Sequence, residues 1–190
     1  KNTKIIHISS DYIFDGRRNS YSEEDLPNPL SYYGKVKLES ENILRSSNKK
    51  YLIFRTSVIY NDTHKNFYTW VYSSLLNNKK IRVVTDQVSN PTWAWSLSEV
   101  IYKSLLNNLD GIFHYAGSDI LSRYDFAVKI ANIFSFNLDN ITPIVSSDLN
   151  QLALRPSIST LNSNKIKEML NIEHPTMDYI ITAFKDKINA

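Results

Sequence analysis

The chain has 190 residues, 42% hydrophobic and 22% charged, which is enough apolar material for a packed core and too much for a disordered chain. The net charge of +3 is spread thinly, with Lys49-Lys50 and Lys79-Lys80 as short pairs only, so no nucleic-acid partner is expected. There is no Cys, which excludes disulfides and thiol chemistry and suits a cytoplasmic setting, and no apolar run nears the roughly 20 residues of a bilayer span, so no membrane partner is expected.

Residues 4–9 read as a buried strand, built on Ile5-Ile6-His7-Ile8. Residues 11–30, with Gly16, Pro27 and Pro29, read as a loop. A helix is predicted from Ser31 towards Arg45. Tyr51–Tyr60, rich in β-branched and aromatic residues, reads as one strand. A helix over 65–77 would place Phe67, Trp70, Val71, Ser74 and Leu75 on one face. A short strand at 80–84, a helix at about 96–107 and a strand at 111–115 follow. Ser122 and Asp125 form a capping box for a helix reaching about residue 135, and further helices are predicted near 163–170 and 176–188. Trp70, Trp93 and Trp95 read as packing residues by default. Strands alternating with helices argue an α/β chain with a parallel sheet.

Tyr33 and Lys37 stand at i and i+4, so a helix puts them on one face. Ser10 closes the preceding strand. These three residue types suit carbonyl reduction, where hydride goes to carbon and a proton to oxygen. A phenol near pH 7 is a slow proton donor, and a neighbouring ammonium favours its phenolate and speeds exchange. A Ser hydroxyl can polarise the same carbonyl. In a chain with 12 Tyr the bare Tyr-x-x-x-Lys spacing is a weak signal, and its neighbours give it weight. The four His are dispersed and no metal site is expected; His7 and His114 lie in strand-like runs and read as core residues. Only four Gly occur, at 16, 34, 111 and 117, and none forms the Gly-x-Gly-x-x-Gly turn that brings backbone amides to a dinucleotide pyrophosphate.

Several ordered blocks resemble one family. They are Ser9-Ser10-Asp11-Tyr12-Ile13-Phe14-Asp15-Gly16, then Tyr21, Glu24, Asp25, Pro27 and Pro29 before Tyr33-Gly34 and Lys37. Arg55-Thr56-Ser57 with Tyr60, Asp86-Gln87 with Pro91-Thr92, Gly111–His114 with Gly117, Ser122–Ala127, and Arg155-Pro156 with Ser159 and Leu161 complete the set. From Ile5 to about Leu161 the chain resembles the extended short-chain dehydrogenase/reductases, and among them the dTDP-4-dehydrorhamnose reductases, over their C-terminal two thirds. The resemblance implies the remainder of a doubly wound Rossmann-type parallel sheet with a smaller mixed α/β substrate-binding domain. Residues 1–60 would belong to the cofactor part and 61–190 mostly to the substrate part, with about 96–115 returning to the first.

The same resemblance implies roles. Tyr33 would protonate the C4 keto oxygen of dTDP-4-dehydro-L-rhamnose or a related nucleotide sugar, and Lys37 would hold the nicotinamide ribose of NADPH or NADH. Ser10 stands at the catalytic Ser/Thr place; Arg55, equally open to a structural role, and Ser57 fall beside the cofactor; Tyr12, Gln87, Thr92 and Arg155 fall near the substrate, with Arg155 suited to a diphosphate. Val58 stands where the family has Trp, and Ser89 where it has Gly, so a positive φ and strain are expected at Ser89. The Gly-rich cofactor loop would lie before Lys1, so these residues alone are expected to bind cofactor poorly and turn over little. An exposed sheet edge would call for cover, for which a homodimer is one arrangement. Two alternatives stay open: a non-catalytic binding or regulatory module of the same fold, and a nucleotide-sugar epimerase or dehydratase.

Overall fold

The computed structural model describes residues 3–149 and 151–189. Three parallel strands form the main sheet in the order β1-β2-β7: β1 is Ile5–Ser10, β2 Tyr51–Thr56 and β7 Gly111–His114. Ile5 aligns with Tyr51 and Leu52 with Gly111, so the C-terminal ends Ser10, Thr56 and His114 come out at one edge. That edge is where open α/β sheets carry their ligands. Within the described sheet β1 is an outer strand.

Helix α1, Tyr32–Ser46, returns the chain from β1 to β2. Ser31 caps it, its side chain accepting from the Gly34 amide at 3.1 Å, which satisfies one of the orphan donors of the first turn. Gly34 has a second reason. A Cβ there would collide with the Tyr12 carbonyl, so α1 approaches the turn after β1 at backbone distance.

The chain does not run straight through 51–60 as one strand. It leaves the main sheet after Thr56, turns at Val58 with φ of +40°, and enters β3, Ile59–Tyr60, which pairs in parallel with β6, Thr92–Trp93. The Thr92 amide binds the carbonyls of Ser57 and Val58, at 3.0 and 3.2 Å, and holds this bend. Ser89, by contrast, has no positive φ. It sits in β5, Val88–Ser89, antiparallel to β8, Leu121–Ser122, so the expected strain falls on Val58 instead.

The remaining strands are β4, Ile81–Val84, and β9, Ile141–Ile144, paired in parallel. The remaining helices are α2, Phe67–Leu76; α3, Ala94–Leu106; α4, Arg123–Phe134; α5, Asn164–Leu170; and α6, Met177–Asn189. Left-handed residues follow α2, α3 and α5, and each is Asn: Asn78, Asn108 and Asn171. Asn tolerates this conformation through its short polar side chain. That is how so many helix ends are closed in a chain with four Gly.

Two larger cores result. Leu52, Phe54 and Phe113 of the sheet pack with Leu97 and Val100 of α3 and Ile166 of α5. A second, strongly aromatic core joins Tyr60, Tyr68, Phe126 and Phe184 with Val71, Ile130 and Ile181. The buried face of α2 is Tyr68, Val71, Ser74 and Leu75, not the face through Trp70. Trp70 is 43% exposed and Trp95 62%, so neither is a core residue. Among the described residues no helix is long and apolar enough to cross a membrane.

Candidate active site

Tyr33 lies in the first turn of α1 and is exposed, while Lys37 one turn later is tied down. The Lys37 Nζ donates to the Ile8 carbonyl of β1 at 2.8 Å and lies 5.9 Å from the Tyr33 ring centre. One of its three donors is thus spent on β1. The Tyr12 ring meets Tyr33 edge-on at 6.0 Å.

Ser10 is buried and engaged. Its hydroxyl donates to Asp11 Oδ1 at 3.0 Å and accepts from the Tyr12 amide at 3.1 Å, capping a short 3-10 turn over Asp11–Ile13. Asp11 is itself a hub, accepting also from Ser57 Oγ at 2.9 Å and Ser159 Oγ at 2.6 Å. Burial raises its pKa, and the three hydroxyls act against that rise. One carboxyl therefore fastens the ends of β1 and β2 to the segment that carries Arg155. Gly16 helps there: it has a φ of +77°, and a Cβ would strike Pro156.

Arg55 and Ser57 lie beneath the surface. Arg55 is 2% exposed, and its Nη2 pairs with Glu41 Oε2 at 2.7 Å while Nε reaches both Glu41 oxygens. Ser9 donates to the same carboxylate. Arg55 Nη1 lies 3.3 Å from His114 Nε2, and His114 Nδ1 lies 3.1 Å from the Tyr21 carbonyl. With its Nδ1–H given to Tyr21, His114 accepts from Arg55 as a neutral ring. Burial first, and then the Arg55 charge, push its pKa down to about 3. Glu41 is the next residue on the face of Tyr33 and Lys37, each four positions apart, so this buried ion pair sets the rotation of α1. The buried Arg55 guanidinium is thus shared between Glu41 and His114.

A second locale lies next to Tyr12. A cleft of about 290 Å³ is lined by Arg82, Arg123 and Arg155, by Gln87, and by Phe67 and Trp70 of α2. Arg155 Nη1 reaches the Tyr12 hydroxyl at 3.5 Å. Gln87 is fixed from within, its Nε2 donating to Ser146 Oγ at 2.8 Å and Gln151 Oε1 at 3.2 Å. Thr92 is fully buried and accepts from Thr56 Oγ1 at 2.9 Å, so it locks β6 to β2 and does not line the cleft. Sequence reasoning missed Arg123, Arg82, Phe67 and Trp70 as cleft residues. A signal was present at Arg123: a cation at the first position of a helix, where the dipole disfavours it.

The "RmlD substrate binding domain" family model matches residues 1–189. The chain belongs to this family. It is 32% identical over 184 residues to the dTDP-4-dehydrorhamnose reductase of Aggregatibacter actinomycetemcomitans, covering 90% of this chain and 63% of that one. The structure of the Bacillus anthracis dTDP-4-dehydrorhamnose reductase in complex with NADP superposes with a TM-score of 0.90 at 28% identity, over 97% of this chain and 66% of that one. The methionine adenosyltransferase 2 subunit beta of Rattus norvegicus is 30% identical over 174 residues, covering 87% of this chain and 52% of that one. The chain thus spans just under two thirds of the reductases it matches. The Rossmann-type α/β class expected from the sequence is the observed one.

Proposed function

We propose that this chain carries the proton-donating and substrate-holding part of an NAD(P)H-dependent reductase, acting on the C4 keto group of dTDP-4-dehydro-L-rhamnose or a related nucleotide-activated sugar. The observation that carries the reading is Tyr33 beside Lys37 on α1, at the sheet edge where Ser10 ends β1. Residues 1–60 and about 96–115 form the cofactor side in this reading, and most of 61–190 the substrate side.

The residues fit one end of the cofactor. Lys37, anchored on Ile8, suits the nicotinamide ribose hydroxyls. Among the described residues no glycine-rich strand-to-helix turn offers amides to a pyrophosphate. A reduced nicotinamide, when bound, supplies the hydride. The Tyr33 hydroxyl then delivers its proton to the keto oxygen. Tyr12 packs against the Tyr33 ring and narrows the space in which the sugar must lie. Ser10 holds the Asp11–Ile13 turn and faces the same edge.

The test is NADPH consumption and deoxysugar formation by the natural polypeptide containing these residues. Tyr33→Phe should lower the rate about 100- to 10,000-fold, the span of general acid–base catalysis. A Tyr33→Phe rate equal to wild type would sink the reading. The similarity to a protein named as a subunit supports a second reading, a partner-binding module without turnover. Absence of any reduction by wild type, with Tyr33→Phe indistinguishable, would favour it.

A further inference from the structure

We propose that the cleft between the exit of β7 and the segment 160–164 is a second ligand site, which takes a small sugar phosphate: a hydroxylated ring with one phosphate group. Its walls share no residue with the Arg155 cleft and include neither Tyr33 nor Lys37. The proposal therefore does not depend on the reductase reading.

The cleft holds about 330 Å³, within the range of small-molecule sites. Its two walls are braced against each other. Asn90 Nδ2 donates to the Gly117 carbonyl at 3.1 Å and the Leu161 carbonyl at 2.9 Å, while its Oδ1 accepts from the Leu161 amide at 3.0 Å. The Ala116 amide donates across to Ser163 Oγ at 3.0 Å. A ligand would meet a frame already set in place, so little ordering is needed on binding.

Within this frame two polar atoms lack partners. Thr160 is 1% exposed, and its Oγ1 makes no hydrogen bond. His174, in the same lining, has an unpartnered Nε2. They are two of four such buried side-chain atoms among the described residues, and the other two, on His7 and Tyr68, belong to other parts of the fold. Buried polar groups are costly when unbonded, so two in one lining call for a partner from outside the chain. The His174 ring lies on Tyr115 with ring centres 4.6 Å apart. Burial is the main cause that lowers its pKa, against the Ala116 backbone, which raises it, so the ring is neutral near pH 7. A ligand hydroxyl both donates and accepts, so it satisfies Thr160 Oγ1, and it satisfies Nε2 in either tautomer.

Charge selects the second half of the ligand. Lys167 lines the cleft, and no Asp or Glu does. The Lys167 Nζ meets Glu173 at 3.5 Å, but that carboxylate is 92% exposed and outside the lining, in a pair that water weakens. One ammonium, with the hydroxyls of Ser118 and Ser163 in the same lining, suits a single phosphate group. The segment also reaches the catalytic edge. Ser159, next to Thr160, donates to Asp11 at 2.6 Å, and Asp11 accepts from Ser10. A ligand bonded to Thr160 thus acts one residue away from the contact that ties this segment to β1.

The test is calorimetric titration of the natural polypeptide containing these residues with glucose 6-phosphate, glucose and inorganic phosphate. Glucose 6-phosphate should bind about tenfold or more tightly than either of the others. Lys167→Gln should weaken it about tenfold, and Thr160→Val about fivefold. Arg155→Gln, in the other cleft, should leave it unchanged. Thr160→Val replaces an unpartnered hydroxyl by a methyl of like shape, so it should keep or raise the thermal midpoint. A lowered midpoint would mean that the hydroxyl already has a partner, and it overturns the proposal. A wild type that binds none of the three, or binds phosphate as tightly as glucose 6-phosphate, overturns it as well. So does binding that is lost in Arg155→Gln and kept in Lys167→Gln. A polypeptide that binds glucose 6-phosphate through Lys167 and Thr160, yet fails to reduce the keto sugar, sinks the reductase reading and leaves this site standing.

Discussion

Two buried regions of this chain are held together by different physics. Behind the β1-β2-β7 sheet edge lies a buried polar array: Glu41 and Arg55 as an ion pair, with Ser9 and His114 on either side. The core around Tyr60, Tyr68, Phe126 and Phe184 is aromatic, with ring centres 5.0–5.2 Å apart at its closest T-shaped contacts. An apolar core gains by area and tolerates reshaping. A buried ion pair gains little net stability, yet it accepts one geometry only. The polar array stands directly under α1, the helix that must present Tyr33 and Lys37 in register. The contrast teaches that the proton-donating side is built for orientation and the aromatic side for cohesion.

The largest expected effect tests that contrast at Glu41. Glu41→Ala leaves the Arg55 charge buried without its partner and should cost about 3–5 kcal/mol in urea unfolding. Replacing both, as Glu41→Met with Arg55→Met, should recover most of this, to within about 1–2 kcal/mol of wild type. The double variant should still misplace α1 and lower Tyr33-dependent turnover in the natural polypeptide. A double variant as unstable as Glu41→Ala would mean that the pair contributes cohesion after all.

The next effect is in pH. The folded-state pKa of His114 is depressed, to about 3 from an ordinary 6.5. The unfolded chain therefore takes up a proton first as pH falls, so this contribution is whole above about pH 6.5 and is lost progressively towards pH 3. Between pH 7 and pH 5 it amounts to about 2 kcal/mol, at about 1.4 kcal/mol per pH unit below 6.5. His7 and His174 are shifted the same way, chiefly by burial, and Asp11 is shifted the opposite way for carboxylates, favouring acid. Subtracting the urea-midpoint slope of His114→Gln isolates the one residue. Identical slopes in the two proteins would remove His114 from the account. Hydrogen exchange at pH 5 should show β2 and β7 losing protection ahead of α2 and α4.

Much of the fold was legible because its signals are local. Ser31, Asn66 and Ser122 announce helix starts by side-chain capping, and Leu52–Phe54 is a run buried in the central strand, whereas β1, read as buried from Ile5–Ile8, is an outer strand that exposes Ile6. What failed was set by distant partners. Trp70 looked like core until Tyr68 took the inner face of α2. Arg55 at its strand end read equally as structural or cofactor-adjacent, and its partner Glu41 was out of sight because only the packing of α1 on the sheet brings the two together. Arg123 sits inside the Ser122/Asp125 capping box, a local pattern that marks a helix start and carries no sign of a cleft. The cleft itself joins residues from α2, β4 and α4 with Leu149, Gln151 and Arg155, which no spacing in the sequence brings together.

The smallest effect lies where the two regions meet, at Val58. The chain passes there from the main sheet into β3, and it does so with a β-branched residue at φ of +40°. Such a conformation costs about 1–2 kcal/mol for a residue with a Cβ. Glycine relieves the strain, while its freedom in the unfolded chain returns roughly 0.5–1 kcal/mol of that gain. Val58→Gly should therefore raise stability by about 0.5–1 kcal/mol, seen as a higher urea midpoint with an unchanged slope. The strain persists because Thr92 binds both the Ser57 and Val58 carbonyls and over-determines the bend. If the midpoint falls instead, the half-buried Val58 side chain contributes more packing than its backbone costs, and the seam between the two regions is itself part of the apolar core.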